Sequence, residues 1–385
     1  MAEVRQMRAA VLVDVDRIEV RNVPRVDPLP HEVVVRVEAV GLCGTDLHIV
    51  AGHANYNYDE FGHVRPLREH PQILGHEIAG VIEEVGAEVR DLARGDRVVV
   101  DQGRTCVSER RPVVCEYCVS GDSHQCEHYR EHGITGLAGG FAEFVTVPAA
   151  NAVALRSSLP PEQAALAEPL GCIIHSMEML ERASARYRLA SDSANPVRTV
   201  LVCGGGPAGL LFAQYLKSVM GFAGRVIVSE PNALKRSLAE QWGAETIDPG
   251  VGGLAEQVRE RTKGRGVEVL IEASGSGALF REIPAVIRKQ ATVLLYGHGH
   301  SGVELGVLNH VQFREPTLIS PAGASGGHDP SGRPLTYLRA LQLLEAGTVD
   351  VAPLITHRYR SLDDVPRAFE GEHRKADYVK GVLVL

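Results

Sequence analysis

The stretch TVLVCGGGPAGLLFAQYL, residues 199–216, limits what this chain can fold into more than any other. An apolar β-prone run meets a glycine turn, and an apolar helix-forming segment follows at once. Gly204, Gly206 and Gly209 stand in G-x-G-x-x-G spacing between the two. Gly204 suits a tight turn, Gly206 lets the backbone approach a pyrophosphate, and Gly209 lets helix and strand pack closely. Pro207 and Ala208 open the helix, whose unpaired N–H groups favour a phosphate. The next predicted strand, RVIVSE, ends at Glu230. A carboxylate there accepts hydrogen bonds from ribose hydroxyls and repels a 2′-phosphate, which favours NAD over NADP. Lys235 and Arg236, a little downstream, are placed in sequence to soften that preference.

Strand and helix alternate from this point. RVIVSE, NALKRSLAEQWGA, GVEVLIEASG, ATVLLYGHG and TLIS follow in order, the pattern of a parallel sheet with crossover helices. Earlier, from Met7 to about Val147, the chain reads as short strands between turn residues: EVVVRVEAVGL, EIAGVIEEVG, DRVVVDQG and GFAEFVTVP. PPEQAALAEPLGCIIHSMEMLERA has helix-forming composition, with prolines where a helix start tolerates them. SARYRLASDSANP is a polar linker, and the tail to KGVLVL adds two helices and a closing strand. A chain of 385 residues exceeds one hydrophobic core, so two domains are expected.

The formal charge of -8 argues against a basic face for nucleic acid or anionic membrane and suits a small polar or neutral ligand. The first twenty residues alternate like a strand and lack a signal peptide's apolar core. No stretch approaches the roughly 18 apolar residues of a membrane span. A cytoplasmic location is expected, where clustered cysteines more often bind metal than pair as disulfides.

VGLCGTDLHIV brings together Cys43, Thr45, Asp46 and His48. ILGHEIAGVIEEVG presents His76 and Glu77, and LAEPLGCIIH presents Glu168. Thiolate, imidazole and carboxylate are the ligand types of catalytic zinc, which keeps a fourth position open. Taken singly, each residue has an ordinary structural role: a buried thiol, a core histidine, a helix-start carboxylate.

Read in order, the C-G-T-D-x-H segment, the G-H-E segment, the cysteine array from 115 to 126, the E-P motif and the glycine fingerprint resemble the zinc-containing medium-chain dehydrogenase/reductase family. The resemblance runs from Met7 to Leu385, and is strongest to its sorbitol (polyol) and threonine dehydrogenases. It implies an α/β chain. A GroES-like β-rich catalytic domain would span 1–169 and 323–385, and a Rossmann doubly wound parallel-sheet domain, binding NAD, 170–322. By the same resemblance Cys43 and His76 are zinc ligands. Glu77 and Glu168 bind the metal directly or through its water, and which one ligates varies among relatives. Thr45 touches the substrate alcohol, and His48 is the outer member of a proton relay. The implied reaction moves a hydride between a secondary alcohol (polyol, sugar-derived or cyclitol-like) and NAD. An amino alcohol or threonine-like substrate is the alternative, and the family implies a homo-oligomer, dimer or tetramer.

Cys115, Cys118 and Cys126 form a C-x2-C-x7-C array. Four thiolates would make a closed, structural zinc site. In the family the first cysteine lies three residues before the second, where this chain has Pro112. Cys106 is the nearby thiol able to replace it, with VSERRPVV as a bulge; a three-cysteine remnant completed by water or His124 is the other outcome. Cys172 and Cys203 read as core packing, and His175 as structural. The long segment between His48 and His76 carries His53, Tyr56, Tyr58, Asp59, His63 and His70, either as a wall of the substrate pocket or as a solvated loop. Two readings compete: a zinc-binding interaction module without catalysis, and a zinc-free reductase of the same fold. The charge balance and the dinucleotide unit oppose the first, and Cys43, His76 and Glu168 oppose the second.

Overall fold

The strand Glu32–Gly41 organises the first half of the chain. Its sequence EVVVRVEAVG is apolar at seven of ten positions, glycine included, and buried at eight, as a strand covered on both faces over most of its length requires. It pairs antiparallel with Glu77–Val85, Phe144–Pro148 and the C-terminal strand Lys380–Val384. The sheet reads, in order, Ile355–Tyr359, Lys380–Val384, Glu32–Gly41, Glu77–Val85, Arg97–Val100 and Ala152–Ala154, with Phe144–Pro148 also on Glu32–Gly41. Val33, Val35, Val37, Ile78, Ile82, Val98 and Phe141 fill the core it shares with the C-terminal segment's Leu362, Val365 and Leu383. Each such side chain, fully buried, contributes about 1.5–3 kcal/mol of transfer free energy.

In this computed structural model residues 5–298, 300, 302, 305–324 and 326–385 are described. The chain divides into two units, Met1–Cys172 with Gly323–Leu385, and Ile173–Ala322. The divide falls within the helix Ala167–Arg182.

The second unit carries a six-stranded sheet, all parallel. Its order is Glu245–Ile247, Arg225–Ser229, Thr199–Cys203, Val267–Glu272, Ile287–Leu295 and Thr317–Ile319. Thr199–Cys203 has the next strand on one side and Val267–Glu272 on the other, so strand order reverses beside it. That reversal opens a crevice at the carboxyl ends, where ligands of doubly wound sheets bind.

Local structure departs from the sequence reading in three places. The helix expected after Pro160 forms as two pieces, Pro161–Ala164 and Ala167–Arg182. The apolar helix from Pro207 is α-helical to Gln214 and closes through a π turn over Tyr215–Val219. The fifth parallel strand begins at Ile287, ahead of ATVLL, with a register shift on its partner between Val267 and Val269. Among the described residues no helix is long and apolar enough to cross a membrane.

Candidate metal and cofactor sites

Cys43 precedes a short helix, Gly44–Val50, at the end of the central strand; Glu77 opens the strand paired with it, and His76 lies just before that strand. The antiparallel register sets Gly41 opposite Glu77 and so brings these loops to one place. A sulfur of Cys43, a ring nitrogen of His76 and a carboxylate oxygen of Glu77 lie within 4.8 Å of one another. That is close to the spread which ligand distances of about 2.0–2.3 Å allow around one ion. The donor set therefore fits a zinc-sized cation, with His76 and Glu77 buried and Cys43 partly exposed.

Asp46 orients this trio. It is fully buried, accepts the N–H groups of Cys43 (3.0 Å) and Gly75 (3.2 Å), and sets Oδ1 3.4 Å from His76 Nδ1. A metal-bound histidine commonly turns its second ring nitrogen to a carboxylate in this way. Burial disfavours a charged His76 ring, yet Asp46 and Cys43 outweigh it and hold the ring well above the ordinary histidine range. Asp46 stood within the quoted motif, but nothing in the sequence distinguished it from a helix-start acid.

Glu77 has a partner 303 positions away. Lys380 Nζ lies 2.5 Å from Oε1, and both side chains are buried. The other oxygen packs over Gly41, where an added Cβ would lie 1.8 Å from Oε2, so only glycine leaves room for this carboxylate.

Glu168 is not within the 4.8 Å group but belongs to the same surroundings. Its Oε1 accepts Gln102 Nε2 at 2.9 Å and the Cys172 thiol at 3.4 Å. Burial and the nearby Glu77 push its carboxyl up to about 7, against the opposing pull of His76. Tyr337, wholly buried, donates its O–H to Gln102 Oε1 and so turns the amide's N–H groups toward Glu168. Cys172 is partly exposed and bonded to Glu168, which corrects its reading as core packing; Cys203 is buried in the sheet core. His175 is buried on the same helix as Glu168.

Thr45 and His48 lie three positions apart on the helix Gly44–Val50, hence on one face. Both are partly exposed, and Thr45 Oγ1 lies 3.8 Å from Cys43 Sγ. Of the long loop, His53, Tyr58, His63 and His70 face solvent, and Asp59 caps a small turn by accepting the N–H groups of Phe61 and His63. Tyr56 is the exception: it is partly buried, and burial, with lesser help from Tyr58 and Glu131, pushes its phenol up.

Cys106, Cys115, Cys118 and Cys126 place their sulfurs within 4.8 Å of one another. Cys106 and Cys126 are 3.4 Å apart, far beyond a disulfide bond, and every cysteine is a free thiol. Sulfurs around one zinc would lie about 3.8 Å apart at a 2.3 Å ligand distance, so the four fit a closed tetrahedral site. Burial works against a Cys115 thiolate, but the N–H groups of Cys118 and Glu127 hold it down to about 7. His124 lies in the short helical turn before Cys126 and is not one of the grouped donors.

In the second unit Gly204 adopts φ +102, and a Cβ on Gly209 would meet the Gly204 carbonyl oxygen at 1.8 Å. Gly206 has no atom within 4 Å of the place a Cβ would take, an open approach to the helix that Pro207 and Ala208 begin. A pyrophosphate fits that opening. Glu230 is buried against the turn, with Gly205 N–H on Oε2 at 2.7 Å and Asn232 N–H on Oε1 at 2.9 Å. Arg236 is committed elsewhere, to the Glu230 and Pro231 carbonyls and to Asp248 at 3.1 Å.

Comparison with known proteins agrees with this architecture. Residues 29–157 match the alcohol dehydrogenase GroES-like domain, and residues 207–346 the zinc-binding dehydrogenase domain. L-threonine 3-dehydrogenase of Pyrococcus furiosus is 33% identical over 362 residues, covering 94% of this chain and 91% of that protein. Sorbitol dehydrogenase of Bacillus subtilis is 30% identical over 368 residues, covering 94% and 93%. A zinc-binding dehydrogenase of Sinorhizobium meliloti, solved with NADP bound, is 31% identical with a TM-score of 0.78, covering 99% of this chain and 100% of that one. The chain belongs to the zinc-containing medium-chain alcohol dehydrogenase family. It is an oxidoreductase that acts on alcohols.

Proposed function

We propose that this enzyme is a zinc-dependent, NAD-linked dehydrogenase of a secondary alcohol that carries further polar groups, with Cys43, His76 and Glu77 or Glu168 as the catalytic metal's ligands. The observation that carries the reading is the grouping of Cys43, His76 and Glu77, with Thr45 Oγ1 3.8 Å from Cys43 Sγ. Zinc there would act as a Lewis acid, lowering the pKa of a bound hydroxyl by several units. A nicotinamide cofactor would accept the hydride.

The chain's own residues supply position and proton transfer. Asp46 fixes the His76 ring, and Lys380 neutralises Glu77. Thr45 Oγ1 takes the substrate's hydroxyl proton and passes it along the helix face to His48, which is open to solvent. Gly204, Gly206 and Gly209, with Pro207 and Ala208, form the phosphate cradle. Glu230 supports NAD over NADP, because a buried carboxylate repels a 2′-phosphate and Arg236 is committed to carbonyls and Asp248. The four-cysteine group holds a second, structural zinc. Seven free thiols suit a reducing, cytoplasmic setting, and the enzyme works as a dimer or tetramer.

Polyols, sugar-derived alcohols and cyclitols remain the leading substrate class, with an amino alcohol or threonine-like substrate as the second. Wild-type and Cys43→Ala enzymes are to be assayed with NAD and with NADP across polyols, cyclitols, amino alcohols and simple secondary alcohols. Reduction that depends on zinc, and a lower KM for NAD, are expected. Full turnover by a zinc-free Cys43→Ala enzyme refutes the reading.

A further inference from the structure

The glycine turn and Glu230 account for only half of a dinucleotide. The phosphate opening at Gly206 follows the strand Thr199–Cys203, and Glu230 follows Arg225–Ser229 on one flank of it. A dinucleotide crosses the point where strand order reverses. With its adenine side at Glu230, its nicotinamide half falls over the carboxyl ends of Val267–Glu272 and Ile287–Leu295, on the other flank.

Glu272 ends the first of these strands, in register with Cys203 just before the glycine turn. It is fully buried, and both of its oxygens are engaged. Oε1 accepts the N–H groups of Ser274 (2.8 Å) and Gly275 (2.9 Å) and the Ser274 O–H (2.6 Å). Oε2 lies 2.8 Å from His300 Nε2, which donates, since a carboxylate only accepts. The Glu272 carbonyl accepts the N–H groups of Tyr296 and Gly297, each at 2.9 Å. One residue thus holds the loops that follow two neighbouring strands. Glycines let the loops close on each other: a Cβ on Gly297 would lie 2.3 Å from Glu272 Oε2, and one on Gly275 2.3 Å from the His298 carbonyl oxygen.

Both loops also touch the cradle. The Ala273 backbone lies 2.9 Å from the place a Cβ on Gly204 would take, and the Tyr296 ring stands edge-on to Phe212 of the helix Pro207–Gln214, 5.2 Å between centroids. His300 sets its ring edge-on to Phe280 at 4.9 Å and remains 22% exposed. Glu268, four residues back on the same strand, makes a comparable set of bonds at the sheet's other end. Its Oε2 accepts the N–H groups of Arg198 and Thr199, and its Oε1 meets Arg288 at 2.6 Å. Ligands of such sheets bind at the carboxyl ends, so Glu268 is a structural counterpart remote from them.

We propose that Glu272 and His300 are positioning residues for the nicotinamide half of the cofactor, their bond clasping the two loops into the surface on which that half rests. The assignment rests on the reading of Gly204, Gly206 and Gly209 as the cradle of a nicotinamide dinucleotide. Loops already held in place need not be ordered when the cofactor arrives, so the clasp adds affinity for the half that touches them. The adenine half, held at Glu230 and the helix start, gains nothing from it.

The test is calorimetric titration of the zinc-loaded enzyme with NADH, NADPH and ADP, the last carrying only adenosine and phosphates. His300→Phe and Glu272→Gln should raise the Kd of the tighter-binding dinucleotide about tenfold or more, the loss of a bond to a charged group, and leave that of ADP within about twofold. His300→Gln, whose amide still donates to Oε2, should keep most of the dinucleotide affinity. Glu268→Gln should lower the Tm and leave the ratio of the two affinities as in wild type. Equal weakening of dinucleotide and ADP in the clasp variants overturns the assignment. Should Glu272→Gln fail to fold, His300→Phe decides, since it leaves the carboxylate its other donors. Wild type that binds ADP but neither dinucleotide sinks the cofactor reading and this proposal together. Wild type that binds a dinucleotide no better than the clasp variants do sinks this proposal alone.

Discussion

The ammonium of Lys380 rests 2.5 Å from the carboxylate of Glu77, with both side chains withdrawn from solvent. The pairing follows from sheet order: Gly41 faces Glu77 on one side and Val382 on the other. Burial alone would lower the Lys380 pKa, but the Glu77 charge outweighs it and holds the amine above its ordinary value. Removing one member of a buried pair leaves an uncompensated charge, a loss of about 3–5 kcal/mol. Lys380→Met should therefore lower the urea midpoint sharply, and adding Glu77→Gln should restore much of it. A double variant no more stable than Lys380→Met would show that the two groups do not act as a pair.

Asp46 holds His76 and the Cys43 backbone at once. Asp46→Asn should weaken zinc binding by about 10–100-fold, the usual effect of losing a partner that orients a ligand. Competition against a chelator of known affinity measures this, and unchanged affinity would reduce Asp46 to a helix cap.

Cys106 completes the four-sulfur group across the bulge VSERRPVV. In Cys106→Ser the zinc content should fall from two ions per chain to one, and the Tm should drop, because binding free energy at a closed site is folding free energy. Elemental analysis alongside calorimetry checks both, and two zincs in the variant would remove Cys106 from the ligand set.

His132 is buried, its Nδ1 2.9 Å from the Ala138 carbonyl. Burial first, and then the Arg104 and Arg130 charges, push its pKa down to about 4 from 6.5, against the pull of the Ala138 bond. An unfolded histidine takes a proton near pH 6.5, and the folded one only near pH 4. Between those values the unfolded state binds more protons, so stability falls as pH drops through the window and levels off below it. The full effect is about 3 kcal/mol. The stability advantage of wild type over His132→Asn should shrink by that amount between about pH 7 and pH 4. Denaturant titrations at several pH values test it, and a difference independent of pH would exclude His132.

Much of the enzyme was legible in its sequence because the relevant physics is local. A phosphate cradle needs glycines at set offsets between strand and helix, and GGGPAG supplies them within six residues. Cys43 and His76 stand out as zinc-type donors beside predicted strand ends. Set beside the family it resembles, the cysteine array lacks its first member at Pro112, and a thiol lies close by in Cys106.

Tertiary structure alone decided what surrounds those donors. Lys380 meets Glu77 across 303 positions and Tyr337 meets Gln102 across 235, through pairings that no local pattern announces. Glu168 reads as a helix-start carboxylate until Gln102 and Cys172 meet it in the buried interior. Ligand chemistry is written in residue types and short spacings. The charges that tune a ligand, and the groups that select a substrate, depend on sheet register and on which distant strands share an edge.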